Sequence, residues 1–205
     1  MASPSPVDLP LSKARFESFS DGVFAIAITL LILEIHLPAG VTHQSSAADQ
    51  IRGMIAIWPQ YLVYAASFVT IGIMWLNHHA LFHSVERITH GIAMWNLVLL
   101  GFISFLPFST YVVGFLDLST PAVVFYCLTL CAISFGYLAV QRSAMIAHDV
   151  SVPMTAWNVV GLSGYPITTL VAFFAPVVAI ALAGLLALFY ALPRNVSLSR
   201  LNRPH

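Results

Sequence analysis

The chain has 205 residues, of which 59% are hydrophobic and only 8% are charged, and its formal net charge is zero. Soluble domains carry about 25% charged residues, so this composition predicts an all-α integral membrane protein whose surface faces the lipid bilayer and other helices. A chain with no net basic charge is not expected to bind nucleic acid.

Six stretches are long and apolar enough to form membrane helices, since about 20 mostly apolar residues cross a hydrocarbon core of ~30 Å. The loops between them are too short for a soluble domain, which predicts one six-helix transmembrane domain over residues 1–205. The longest loop, around 40–52, is polar and is expected to be external. In chain order, the predicted spans are 17–37, 54–76, 92–115, 120–141, 158–174 and 177–192.

The first span has a short apolar centre bracketed by Asp21 and Glu34. An ionisable side chain at membrane depth is costly unless it meets a partner or water, so this helix suits a protein interior or a water-filled path. When the first span is projected as a helix at 100° per residue, a set of mostly apolar residues falls on one face. Its members are Gly22, Ile26, Thr29, Leu30, Leu33 and Leu37.

Two interpretations of this face remain open. A stripe at helical spacing is most often an ordinary packing surface. If several copies of the chain meet along it, however, they enclose a narrow hydrophobic throat with a single polar position at Thr29.

Residues 15–21, which lead into the first span, read Arg-Phe-Glu-Ser-Phe-Ser-Asp. Arg15 and Asp21 are six positions apart and do not face each other on a helix, so each is expected to find a partner on another helix. Alternatively, Ser20 or Asp21 caps the first helix, because both residue types are good caps.

The last two spans lie in a segment without charge, residues 161–192, which is too long for one crossing at 1.5 Å per residue. Pro176 has no amide hydrogen to continue a helix, so we expect the chain to turn there. Pro166 is expected to kink the fifth span, and Pro107 is expected to break the third.

Lys and Arg accumulate in short cytoplasmic loops. With six spans and both termini cytoplasmic, Arg52 is the single basic residue outside, whereas five spans would split the basic residues between the two sides. We therefore predict cytoplasmic termini. A cleaved signal peptide is disfavoured, because Asp21 interrupts the first segment and no small residues follow at cleavage spacing. The residues predicted to lie inside are Lys13, Arg15, Arg87, Arg142, Arg194, Arg200 and Arg203.

The pattern Arg-x-x-x-Phe-Ser-Asp at residues 15–21 resembles the signature of the transmembrane protein 175 family, potassium channels found in lysosomes and, as shorter chains, in prokaryotes. Residues 75–79, which read Trp-Leu-Asn-His-His, are also similar to the bacterial members, as are Asn96 in the third span and the Leu192-Pro193 pair. The resemblance covers the whole chain.

This resemblance implies a homotetramer in a prokaryotic plasma membrane, in which the first helix of each subunit lines a central path for K⁺ without a re-entrant filter loop. Ile26, Leu30 and Leu33 would form the closed constriction, and Thr29 a polar layer linked to cation preference. An apolar throat a few ångströms wide excludes water, so the expected gate works by dewetting.

The resemblance also implies a network that holds the first helix to the second and third spans. Ser20 and Asp21 would bond toward the inner ends of those spans. The residues assigned to this network are Arg15, Phe19, Ser20, Asp21, Trp75, His78, His79 and Asn96.

Other chemistry has weaker support. A proton-coupled secondary transporter is the alternative function, although the internal repeats common in carriers are absent. His79 and His83 have helical metal-site spacing but lack an accompanying Glu or Cys, and Cys127 and Cys131 share one helix face as packing residues. We expect no metal, no cofactor and no catalytic residues.

Overall fold

The computed structural model describes residues 12–149 and 156–191. Within these residues the chain forms seven α-helices, and a single 3₁₀ turn, Leu31–Glu34, extends the first of them. The helices are α1 (Lys13–Leu30), α2 (Ala47–Ala56), α3 (Trp58–His83), α4 (His90–Phe115), α5 (Thr120–Ala147), α6 (Ala156–Ala172) and α7 (Pro176–Tyr190).

Helix α1 begins four residues before the predicted start, because Ser12 caps it by accepting a hydrogen bond from the Arg15 amide at 3.4 Å. Ser20 and Asp21 lie inside the helix, so the alternative that either of them caps it is wrong. The helical segment ends at Glu34, and Leu37 is therefore beyond it.

Helix α2 was not predicted, and it begins within the segment that was predicted to be a polar loop, residues 40–52. Ser46 starts the helix by accepting a hydrogen bond from the Asp49 amide at 3.2 Å, and Arg52 lies 3.5 Å from the Asp49 carboxylate. A helix of ten residues is too short to register in a search for membrane spans.

Helices α3 and α5 run further than predicted at their carboxyl ends, and α4 and α6 each continue through a proline. Helix α3 continues to His83 and α5 to Ala147, because polar side chains that reach a partner or solvent need not end a helix. Pro107 lies within α4, so the prediction that it breaks the third span is wrong. Pro166 lies within α6, and the kink expected there stays a prediction. The turn expected at Pro176 is confirmed, since α6 ends at Ala172 and α7 begins at Pro176.

By length and composition, α1 with its 3₁₀ turn, α3, α4 and α5 are long and apolar enough to cross a membrane. Helices α6 and α7 are shorter, with 17 and 15 residues. At 1.5 Å per residue they span about 25 and 22 Å. The fold is thus an all-helical membrane fold, while the count of six spans stays a prediction. Residues 192 onward, including Leu192-Pro193 and the last three arginines, lie outside the described residues.

Helix α1 packs on α3 and α4, whereas α5, α6 and α7 lie on the far side of those two helices. The α4–α5 contact is close at Gly136, where an added Cβ would lie 3.2 Å from the Cα of Leu99. Small residues are what allow such approaches in lipid, where van der Waals packing drives helix association. The start of α1, the end of α3, the start of α4 and the end of α5 lie at the same end of the bundle. We call it the signature end, because the motif at residues 15–21 lies there.

Candidate functional site

Helix α1 has two faces with opposite surroundings. One face is buried against α3 and α4. The other carries the predicted constriction, and there Ile26, Leu30 and Leu33 are 61%, 41% and 65% exposed, with Thr29 exposed between them. The stripe therefore does not pack against the other helices that the structure describes. The buried face consists of Phe16, Ser20, Phe24, Ala27 and, in the 3₁₀ turn, Leu31.

Thr29 keeps an oxygen available on the exposed face. Its hydroxyl lies 3.0 Å from the Ala25 carbonyl and 2.9 Å from the Ile26 carbonyl, so its hydrogen is committed to the helix backbone. A hydroxyl oxygen that donates its hydrogen still has two lone pairs. Thr29 can thus act as an acceptor toward whatever lies in front of the stripe, including a cation.

Behind the stripe, a buried chain of hydrogen bonds joins α1 to α3 and α4. The Asn96 amide donates from Nδ2 to Ser20 Oγ at 2.9 Å, and Ser20 Oγ donates to the Phe16 carbonyl at 3.1 Å. His78 Nε2 lies 2.8 Å from Asn96 Oδ1. An amide oxygen only accepts, so this contact assigns the proton to Nε2 of His78. Ser20, His78 and Asn96 thus each have a hydrogen-bond partner, as buried polar side chains normally do.

A second connection lies next to the first. Trp75 Nε1 donates to Asp21 Oδ1 at 2.8 Å, and the carboxylate is half-buried. A hydrogen bond to a charged acceptor is stronger than a neutral one. Asp21 is therefore tied to α3, while the adjacent Ser20 is tied to α4.

Aromatic rings enclose the imidazole of this network. The His78 ring centroid lies 5.2 Å from that of Phe24 and 4.5 Å from that of Phe82, and Phe82 in turn lies 5.4 Å from Phe16. These contacts keep water away from the His78–Asn96 bond and fix the orientation of the imidazole ring. The network is therefore a rigid support for α1 and not a solvent-filled site.

Three residues assigned to the network from the sequence lie outside this chain of bonds. Phe19 is 55% exposed, and Arg15 is exposed without a carboxylate partner among the described residues. His79 is exposed, with its ring centroid 6.1 Å from that of Trp75. Arg15 and Phe19 point from α1 to the same open side as the stripe.

A second buried polar cluster was missed by sequence reasoning. Ser67 Oγ lies 2.8 Å from Thr110 Oγ1 and donates to the Tyr126 hydroxyl at 3.0 Å, which joins α3, α4 and α5. Hydroxyl side chains in the middle of apolar spans were the available signal, because such groups are kept where they find partners.

Comparisons with known proteins match this chain to one family. Residues 15–107 match the family described as endosomal/lysosomal potassium channel TMEM175. A potassium channel of Streptomyces collinus is 34% identical over 196 residues, which cover 87% of this chain and 91% of that protein.

Two comparisons concern Chamaesiphon minutus. A potassium channel of this organism is 45% identical over 96 residues, which cover 47% of this chain and 46% of that protein, so the alignment spans about half of each. The crystal structure of a lysosomal potassium-selective channel TMEM175 homolog from the same species superposes with a TM-score of 0.77 at 32% identity, covering 90% of this chain and 98% of that one.

Proposed function

The chain belongs to the TMEM175 family of potassium channels, and we propose that it forms a potassium-permeable cation channel in the plasma membrane of a prokaryote. In this proposal four copies assemble around an axis lined by α1 of each subunit. The observation that carries it is the exposed stripe of α1, whose opposite face is fixed to α3 and α4.

The length of the apolar stretch supports an interior position for α1. Between Asp21 and Glu34 the helix has 12 residues without charge, which is about 18 Å and shorter than the ~30 Å hydrocarbon core. Facing lipid, one of the two carboxylates would be drawn into hydrocarbon at a high energetic cost. With the stripe facing an axis shared by several copies, Glu34 can meet water at one end of a conduit, while Asp21 keeps its Trp75 partner at the other end.

The proposed gate consists of the apolar side chains on this face. Rings of Ile26, Leu30 and Leu33 would exclude water from a narrow closed path, so a cation would lose its hydration shell and gain nothing in return. Opening requires the α1 helices to separate or rotate until the path is hydrated. The Thr29 oxygen would then replace part of the hydration shell, and no re-entrant filter loop is needed.

The orientation proposed from charge fits the arrangement of the helix ends. Lys13 and Arg15 start α1, Arg87 lies between α3 and α4, and Arg142 lies near the end of α5, all toward the signature end. Basic residues favour the cytoplasmic side. We therefore assign the signature end, and with it the amino terminus, to the cytoplasm.

Reconstitution of the full chain into liposomes tests the proposal. A potassium gradient alone should give discrete single-channel currents that reverse at the potassium equilibrium potential, with many ions passing per opening. A proton-coupled carrier would instead give flux that requires a pH difference and no unitary current. That result would overturn the channel proposal.

A further inference from the structure

A small pocket lies between α3, α5, α6 and α7, away from the exposed stripe of α1. Its volume is about 40 Å³. Its deep part is formed by buried residues, whereas half-buried Asn77, Gln141 and Tyr190 line it toward the surface. The hydroxyl groups in its wall belong to Thr70, Ser134, Tyr137, Tyr165 and Tyr190.

One wall residue has an unmet hydrogen-bonding need. Tyr165 is only 4% exposed, and its hydroxyl makes no hydrogen bond with any residue that the structure describes. A buried polar group without a partner costs free energy comparable to a lost hydrogen bond, so such groups normally bind protein atoms or water. The Tyr165 hydroxyl therefore points to a ligand that can both donate and accept.

Other polar atoms of the wall can share that ligand. Ser134 Oγ donates to the Gly161 carbonyl at 3.0 Å, and the Tyr137 hydroxyl donates to the Asn77 carbonyl at 3.2 Å. Thr70 Oγ1 donates to the Ala66 carbonyl at 2.8 Å. With their hydrogens used, the Ser134 and Thr70 hydroxyl oxygens keep lone pairs and are acceptors for a donor placed in the pocket.

We propose that this pocket is a water-binding site, in which bound water completes the hydrogen bonding of Tyr165 and links α6 to α3 and α5. Water is the ligand because it both donates and accepts and because the volume suits it. A single water needs about 10–15 Å³ and occupies about 30 Å³ in the liquid, so the pocket holds about one to three molecules.

The position of the site gives it a role in the subunit. Thr70 and Asn77 contribute to the pocket from a different face of α3 than the one that carries Trp75 and His78. Water held there links α3 to α5 and α6. The site thus stabilises α3, to which α1 is fixed, from the side of α3 that faces away from α1. This role does not depend on whether α1 lines a pore.

The Tyr165→Phe substitution tests the proposal through the sign of its effect. If the hydroxyl binds water, its removal loses a hydrogen bond and should lower the Tm of the purified channel in detergent by about 2–4 °C. If the hydroxyl is buried without a partner, its removal should leave Tm unchanged or raise it. Tyr61→Phe is the matched control, because Tyr61 is exposed on α3 outside the pocket and should not change Tm.

A map of the unmodified channel at a resolution that shows ordered water provides the second measurement, which also decides the matter if the Tyr165→Phe variant does not fold. We expect density about 2.7–2.8 Å from the Tyr165 hydroxyl oxygen, within reach of Ser134 or Thr70. Absence of that density, or a Tm that stays or rises in the folded variant, overturns the proposal.

Discussion

At the scale of single residues, two neighbouring side chains on α1 form hydrogen bonds to two different helices. Ser20 and Asp21 are consecutive, yet one is bonded to α4 through Asn96 and the other to α3 through Trp75. Helical geometry places them about 100° apart, which lets one turn of α1 reach two neighbouring helices. The stripe that includes Gly22 and Thr29 is left facing outward.

Replacing Trp75 with Phe should weaken this attachment. The substitution removes the indole donor and leaves the Asp21 carboxylate without that partner, at a cost of about 1–2 kcal/mol, because the site is only half-buried. We expect Tm in detergent to fall by about 2–8 °C. Trp95→Phe is the matched control, since Trp95 is a partly exposed tryptophan on α4. Equal effects of the two substitutions would contradict a specific role for the Trp75–Asp21 bond.

The sequence named the residues that form this network, but it also assigned to the network residues that lie outside it. The resemblance to the channel family implied Trp75, His78 or His79, and Asn96 as candidate partners. Choosing between His78 and His79 required the helix phase, which places His78 in the interior and His79 on the surface. The motif alone did not indicate that Arg15 and Phe19 face outward, although their spacing of seven and three residues from Gly22 places them on the face of the stripe.

At the scale of helices, boundaries were the least predictable feature. Apolar runs locate α3 and α5, but their carboxyl ends continue through polar residues that the search counted as loop. Helix propagation needs only that each side chain find a partner or solvent, so hydropathy underestimates helix length. Helix α2 was missed for the same reason, since a capped polar helix leaves no hydropathy signal.

The α4–α5 contact gives a test at this scale. Gly136→Ala should destabilise the protein, because the new methyl group would lie 3.2 Å from the Leu99 Cα and would push the helices apart. Gly101→Ala is the control, since nothing lies within 4 Å of a Cβ at Gly101. In a helix interior Ala is favoured over Gly by up to about 1 kcal/mol, so the control should hold or raise Tm. A raised Tm for both variants would show that the α4–α5 contact can relax.

At the scale of the whole molecule, one subunit explains how α1 is held but not what covers its stripe. Neither a tetramer nor a gate can be derived from the fold of a single chain; both come from the exposed stripe together with membership of the channel family. The uncharged stretch between Asp21 and Glu34 is shorter than the ~30 Å hydrocarbon core, so a shared interior is the most favourable surrounding for this helix.

Replacing Leu30 with Asn should raise the basal current. An amide in the proposed constriction binds water and lowers the dewetting barrier, and each 1.4 kcal/mol removed gives about a tenfold increase. The measurement is macroscopic current in planar bilayers at a fixed protein amount. Leu97→Asn is the control, because Leu97 is exposed on α4 and lies away from α1's stripe. An unchanged current in the Leu30 variant would place the gate elsewhere.

The central claim, that the stripe of α1 faces the ion path, is tested most directly by cysteine modification during current recording. In a chain with Cys127 and Cys131 replaced by Ala, we compare Thr29→Cys with Leu128→Cys, an exposed position on α5. A cationic methanethiosulfonate reagent should block current through the Thr29→Cys channel and leave the Leu128→Cys channel unaffected. Undiminished current through a labelled Thr29→Cys channel would contradict the account.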